Sequence, residues 1–236
     1  MNGTERMESI FTLIPSQTFC KEENMDLKKR GAEMRDFFDR KIDGYDEVHA
    51  KFTDTKRLLT ENLREGTVSV LDLGGGTGLE LIPLFERFPD ARVTVADISE
   101  KMLEALTRRP FADRIRTVPG DFFETDWGEG YDAVISTSAL HHFDPADKLR
   151  LYRKVWDCLR DGGQFLNSDK VSANRAEEER DLAEYAEDPE RWPHMDTPLA
   201  PSTELELLEN AGFVRIAVGL TDQENYRLFS AEKPVL

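Results

Sequence analysis

Cysteine is scarce in this chain. Cys20 and Cys158 are the two among 236 residues. They are far apart and have neither a metal nor a redox spacing, which excludes a disulfide scaffold and a cysteine-based zinc site and points to a reduced, cytoplasmic setting. Long apolar runs are missing too. No stretch of about 18 consecutive apolar residues occurs, so no membrane span is expected. The start of the chain, Met1 to Gln17, lacks a basic segment followed by an apolar one and reads as no secretory leader. Positive charge is outnumbered: 31 Lys and Arg stand against 47 Asp and Glu, a net charge of -16. Such a chain repels phosphate backbones at long range, so nucleic acid is disfavoured as the main partner and a cationic ligand is favoured. Internal repeats and low-complexity linkers are absent. The sequence carries no signal of oligomeric state.

What is present suits one elaborated domain with a sizeable core, since 39% of residues are apolar. Residues 1–24 show no period and read as an N-terminal extension. Residues 25–236 read as the domain itself. It opens with a helical cap: one helix from Met25 to Lys41, with Leu27, Met34, Phe37 and Phe38 as apolar points, and a second from Asp46 to Leu63. Gly66 stops the second helix and the pattern changes. Short runs rich in β-branched residues follow at Val68–Leu73, Arg92–Ala96, Ile115–Val118, Tyr131–Ser136 and Gly163–Asn167. Helical patterns separate them. The clearest puts Leu149, Tyr152, Val155, Trp156 and Leu159 on one face and ends at Asp161-Gly162-Gly163. This alternation predicts βαβ units, an α/β fold with a mostly parallel sheet and helices on both faces. After the fifth strand an acidic stretch from Ala176 to Glu190 predicts a solvated helix. An irregular loop from Trp192 to Pro198 follows, and together they predict an inserted lid around 170–201. A helix from Ser202 to Asn210 and strands near Phe213–Val218 and Asn225–Ala231 close the chain.

The sharpest motif is Val70-Leu71-Asp72-Leu73-Gly74-Gly75-Gly76-Thr77-Gly78. It follows a strand and opens a helix. Glycines let the backbone turn sharply and let a ligand come close, and amides at a helix start face anionic groups. A phosphate-binding P-loop is excluded, because no Gly-Lys-Ser/Thr follows. The dinucleotide fingerprint fails as well, since Leu79 stands where its third glycine belongs.

The Gly-x-Gly-x-Gly form resembles the nucleotide loop of class I S-adenosylmethionine-dependent methyltransferases, and the resemblance runs from about Phe37 to Gly163. It implies a Rossmann-like, doubly wound, mostly parallel seven-stranded sheet with an antiparallel C-terminal strand. It implies S-adenosylmethionine as cofactor, with Asp72, Gly74, Gly75 and Gly76 forming the loop that holds it. Asp97, closing the second strand beside Ile98, would accept the ribose hydroxyls. Met102 would pack near adenine, Asp121 would accept from the adenine amino group, and Phe122 would flank the ring. Ser138 and His141 belong to Ser136–Phe143, which resembles the family's active-site turn. Tyr45 closes Phe38–Tyr45, a segment resembling one whose aromatic covers the cofactor's amino-acid end.

Each residue also has a plainer reading. Asp97 could cap a helix, although Ser99 is the better cap. Asp72 is as well read as a buried acid holding the glycine loop. One of His141 and His142 is a candidate base; otherwise His141 lines the pocket. Adjacent side chains point apart on most backbones, so His141 and His142 are not expected to share a metal, and no metal is expected. His194 and Asp196 are candidate substrate contacts.

The function implied is methyl transfer to a small-molecule acceptor by in-line attack on the sulfonium methyl. The turn after the fourth strand lacks the Asn/Asp-Pro-Pro-aromatic motif of many enzymes that methylate amino nitrogens of bases or glutamine. Two alternatives stand beside this reading: an enzyme like the carboxy-S-adenosylmethionine synthases, which need an arginine that Ser136–Phe143 does not supply, and a cofactor-binding regulatory protein without turnover.

Overall fold

The computed structural model describes residues 19–49 and 53–235. A seven-stranded sheet forms its centre: β1 (Ser69–Leu73), β2 (Arg92–Asp97), β3 (Ile115–Pro119), β4 (Tyr131–Thr137), β5 (Leu159–Lys170), β6 (Val214–Leu220) and β7 (Tyr226–Glu232). The strand order is β3-β2-β1-β4-β5-β7-β6. The first five strands run parallel, and β7 runs antiparallel between β5 and β6. The chain winds outward from β1 to β3, then returns to place β4 on β1's other side. The carboxyl ends of β1 and β4 therefore part, and a crevice opens there.

Period-two alternation assigns each strand residue a side. Val70, Val93, Val95 and Ile135 pack on one face with Leu59, Leu84 and Leu106. Leu71, Leu73, Val134 and Phe165 pack on the other with Tyr152, Val155 and Leu208. Fully burying a side chain of this kind contributes about 1.5–3 kcal/mol, so both cores must be filled for the sheet to hold its layers.

Helices cover both faces: α1 (Phe19–Lys41), α2 (Tyr45–His49), α3 (Thr53–Glu61), α4 (Leu81–Arg87), α5 (Glu100–Leu106), α6 (Pro145–Cys158), α7 (Arg175–Glu187) and α8 (Pro201–Asn210). None among the described residues is long and apolar enough to cross a membrane. Several boundaries differ from the sequence expectation. Helix α1 starts at Phe19, inside the segment expected as an extension, and residues 1–18 lie outside the described part. The second cap helix is two helices, α2 and α3. Helix α6 stops at Cys158, and Asp161-Gly162-Gly163 falls inside β5. There Gly162 takes a φ of 72° and its N–H meets the Lys233 carbonyl, so the glycines bend a strand. Helix α7 is not wholly solvated either. Glu178 turns inward and accepts from the Ala200 N–H at 2.6 Å, just before α8 begins.

A buried ion pair ties α6 to α8. Lys148 and Glu204 are both fully buried and bonded to each other, and the Tyr152 hydroxyl donates to Glu204 Oε2 at 2.5 Å. Removing one partner leaves the other charge uncompensated. Lys148→Met is expected to cost about 3–5 kcal/mol, read as a lower midpoint in urea. A loss below about 1 kcal/mol would show that this pair does not hold the two helices together.

Candidate functional site

The crevice beyond β1 and β4 holds a cavity of about 860 Å³, counted out to its open mouth. Its floor is the glycine loop after β1. Gly74 has a φ of 73°, and a Cβ there would stand 2.4 Å from the Ala139 Cβ. Only glycine allows the loop and the turn after β4 to meet so closely. Gly75 is closed off from below, where a Cβ would strike Asp72 Oδ2 at 2.4 Å and Val95 Cγ1 at 2.6 Å. Gly76 differs: a Cβ there would have no neighbour nearer than 3.9 Å and would stand in the cavity.

Asp97, the last residue of β2, connects this loop to the next element. One carboxylate oxygen accepts the Gly76 N–H at 2.9 Å and the other accepts the Ser99 N–H at 2.8 Å. Ser99 in turn caps α5 by accepting from the Met102 N–H. Burial pushes the Asp97 carboxyl up to about 6, despite the two backbone donors, which pull it down. On β3's far side, Asp121 Oδ1 accepts the Phe123 N–H at 2.7 Å. Its Oδ2 faces helix α1, at 3.1 Å from where a Cβ on Gly31 would be.

Nine of the residues expected from the sequence line this one cavity. Tyr45, Gly74, Gly76, Asp97 and Ile98 are among them, as are Met102, Asp121, Phe122 and Ser138. Ser138 sits at the end of β4 with a φ of 57°, a strained conformation for a residue with a Cβ. Tyr45 stacks on the His49 ring at 3.9 Å, and burial raises its phenol.

Asp72, Gly75 and His141 are placed off the wall. Asp72 is fully buried under the loop, beside Glu80. Burial first, and the Glu80 charge second, hold its carboxyl well above the usual carboxylate range, while Lys56 pulls it back. His141 lies behind the turn after β4, with Nδ1 at 2.6 Å from Asp169 Oδ1 and Nε2 at 3.9 Å from Asp196. Burial raises Asp169, but the His141 ring, the Lys148 charge and the Lys170 N–H together outweigh it and the carboxyl lies below its usual range. Among the described residues no group of three His, Cys, Asp or Glu is arranged to hold a metal ion.

Several wall residues were not singled out as site residues from the sequence. Arg30, Gly31, Met34 and Phe38 come from α1, Ala139 and Phe143 from the turn after β4, and Met195 from the 192–198 loop; His142, weighed with His141 as a base, also lies on the wall. The spacing of Arg30, Met34 and Phe38 places one helix face on the cavity, a period that reads equally as core. Arg30 fastens this roof. Its guanidinium donates to Asp147 at 2.6 Å, Asp144 at 3.3 Å and the Met195 sulfur at 3.2 Å. Beside Met195, His194 packs on Phe37 with ring centroids 4.0 Å apart, next to the cavity and not on its wall. His142 Nδ1 lies 2.7 Å from the Met195 carbonyl. Burial, and then the His141 and His194 rings, hold His142 well below the usual imidazole range, so it is neutral near pH 7.

A family model described as a methyltransferase domain matches residues 70–163. A mitomycin biosynthesis 6-O-methyltransferase of Streptomyces lavendulae is 32% identical over 113 residues, 47% of this chain and 32% of that enzyme. A carboxy-S-adenosyl-L-methionine synthase of Nautilia profundicola is 24% identical over 177 residues, 68% of this chain and 75% of that enzyme. The fold matches human N-acetylserotonin methyltransferase, solved in complex with SAM, at a TM-score of 0.63 and 20% identity, over 94% of this chain and 61% of that one. The chain thus spans about a third of the mitomycin enzyme's length.

Gly74→Ala is expected to destabilise the fold by about 1–3 kcal/mol, because it forces a Cβ against Ala139 at a positive φ. Thermal unfolding measures this. An unchanged midpoint would mean that the loop and the β4 turn can separate freely.

Proposed function

We propose that the chain is a class I S-adenosylmethionine-dependent methyltransferase, a reading supported by the methyltransferase-domain match over residues 70–163 and by the mitomycin relative, and that its pocket binds S-adenosylmethionine and delivers the methyl group to a small-molecule acceptor. The observation that carries the reading is Asp97. Its carboxylate spends one acceptor site per oxygen on the loop and on Ser99, which leaves further lone pairs at the cavity wall for a ribose diol. Gly76 supports it, since any larger residue there would fill the space the ligand needs. Charge supports it too. Asp97, Asp121 and Arg30 are the charged groups on the wall, and Arg30 is already held by two carboxylates. Such a wall suits a sulfonium and gives a pyrophosphate no counter-charge.

In this proposal Asp121 accepts from the adenine amino group, with Ile98, Met102 and Phe122 around the ring. Gly74, Gly76, Ser138 and Tyr45 face the amino-acid end. Asp72 and Gly75 support the loop from below. His141, held by Asp169, supports the wall from behind. Residues 170–201 form a lid that reaches the pocket through Met195. When bound, S-adenosylmethionine supplies an electrophilic methyl on a sulfonium, whose loss leaves neutral S-adenosylhomocysteine. The chain's own task is to align the acceptor and keep water out. The roof of α1 and Met195 suits a small acceptor better than a folded macromolecule, and the O-methylating relative in mitomycin biosynthesis is consistent with that. We place the enzyme in the cytoplasm, in keeping with the free, buried thiol of Cys158.

A second reading, formation of a carboxylated S-adenosylmethionine, draws on the long span shared with the Nautilia profundicola synthase. It needs an arginine available to a carboxylate. Arg30 reaches the wall but is committed to Asp144 and Asp147, so methyl transfer ranks first.

Calorimetric titration with S-adenosylhomocysteine tests the binding. Asp97→Ala is expected to weaken affinity about 10–100-fold, the loss of hydrogen bonds to a charged acceptor. Unaltered affinity in that variant would remove the ribose assignment. The pH dependence has a definite sign. Ribose hydroxyls favour ionised Asp97, so affinity is full above the carboxyl's value of about 6 and falls below it, by up to about tenfold per pH unit. The Asp97→Ala variant is expected to lack this fall. Mass spectrometry of protein incubated with cofactor and a metabolite extract should reveal a product heavier by one methyl. Bound cofactor without any such product would favour a regulatory protein.

A further inference from the structure

We propose that Lys154 is a positioning residue for the purine: through one peptide plane it aims the Asp121 carboxylate, and so makes the pocket select an amino purine over an oxo purine. This rests on the reading that places adenine at Asp121 and adds to it the residue that sets the choice of base.

The loop that carries Asp121 and Phe122 is closed by its own bonds. Gly120 turns the chain after β3 with a φ of 130°. The Asp121 carbonyl accepts the Glu124 N–H at 3.1 Å, the Thr125 N–H at 3.0 Å and the Thr125 hydroxyl at 2.8 Å. The Trp127 indole N–H then donates to the Thr125 hydroxyl oxygen at 3.1 Å. The carbonyls of Phe122 and Thr125 are left over. Both accept from the Lys154 ammonium at 2.5 Å, which reaches across from α6 and lies 3.9 Å from the centre of the buried Trp127 ring. No other donor among the described residues reaches either carbonyl. Burial disfavours the ammonium, and Cys158, Asp121 and Asp126 offset part of that cost.

The Phe122 carbonyl belongs to a peptide unit whose other end reaches the site. That unit is planar and trans, so its N–H, on Phe123, points away from the carbonyl. The Phe123 N–H donates to Asp121 Oδ1 at 2.7 Å. Lys154 therefore holds one end of the plane and Asp121 the other. A cation on the carbonyl also polarises the unit and strengthens its N–H as a donor. With Oδ1 pinned in this way, Oδ2 is the oxygen left for a ligand, and it faces Gly31, another residue of the cavity wall. The same clamp settles the Phe122 ring, which meets Trp127 edge-on at 6.0 Å. A carboxylate oxygen fixed there can only accept, so it attracts an amino group and repels a carbonyl oxygen. That is the difference between adenine and hypoxanthine.

Calorimetric titration compares S-adenosylhomocysteine with S-inosylhomocysteine, which has a carbonyl oxygen where adenine has the amino group. The parent protein is expected to prefer the adenine form at least about tenfold. Lys154→Met keeps the length of the side chain and its apolar stem, and is expected to cut that preference to about threefold or less. Lys154→Arg keeps donors for both carbonyls and is expected to retain most of it. In an Asp121→Ala background, Lys154→Met is expected to leave the ratio unaltered, because the residue it acts through is gone. A parent-like preference in Lys154→Met overturns the proposal. So does an affinity loss in that variant that is equal for the two ligands, which a purely structural role would give. If Lys154→Met does not fold, as read by urea titration, Lys154→Gln stands in for it with the same expected and overturning results. A parent protein that binds the two ligands equally removes the adenine assignment at Asp121 and this proposal with it, whereas one that binds neither sinks the cofactor reading itself.

Discussion

One carboxylate organises the pocket. Asp97 ends β2 and bonds forward to Ser99, which starts α5, and sideways to Gly76 in the loop after β1. It thereby fixes the distance between two neighbouring strand ends and the helix that follows. The same group is buried, which makes its charge costly. A polar ligand that donates to it relieves that cost. The side chain that fastens the scaffold is therefore also the one proposed to receive the ligand. Asp39 on α1 adds to this junction by accepting from the Ser99 hydroxyl at 2.6 Å, so the roof is tied to the same point.

Much of this was legible in the sequence because local rules set it. A glycine loop between a strand and a helix, an acid at the end of the next strand, and an acid after the third leave marks over a few residues each. The parallel sheet then brings Gly76, Asp97 and Asp121 to one edge without further instruction. The roof was not legible in the same way. Arg30, Met34 and Phe38 follow an ordinary helical period, and nothing local says whether that face meets a core or a ligand. Met195 and His142 meet across 53 residues of chain through a carbonyl, a contact that leaves no trace in residue type. His141 drew attention as the first histidine of the turn, yet the turn directs it toward Asp169.

The family match ends at Gly163 and begins at Val70. Helix α1 and the loop around Met195 both lie outside it. The matched stretch carries the floor of the pocket, and the unmatched segments carry its roof. This division accounts for a family resemblance that speaks clearly about one ligand and scarcely at all about the other.

The Arg30 clasp gives the roof a particular character. It joins α1 to the first turn of α6 through Asp144 and Asp147, and to the late loop through the Met195 sulfur. Three segments distant in sequence are therefore fastened to one another beside the pocket. Arg30 and Asp147 are mostly covered, so dissolved ions screen their contact far less than they would an exposed pair. The clasp then keeps these three segments fastened in dilute and in salty solution alike.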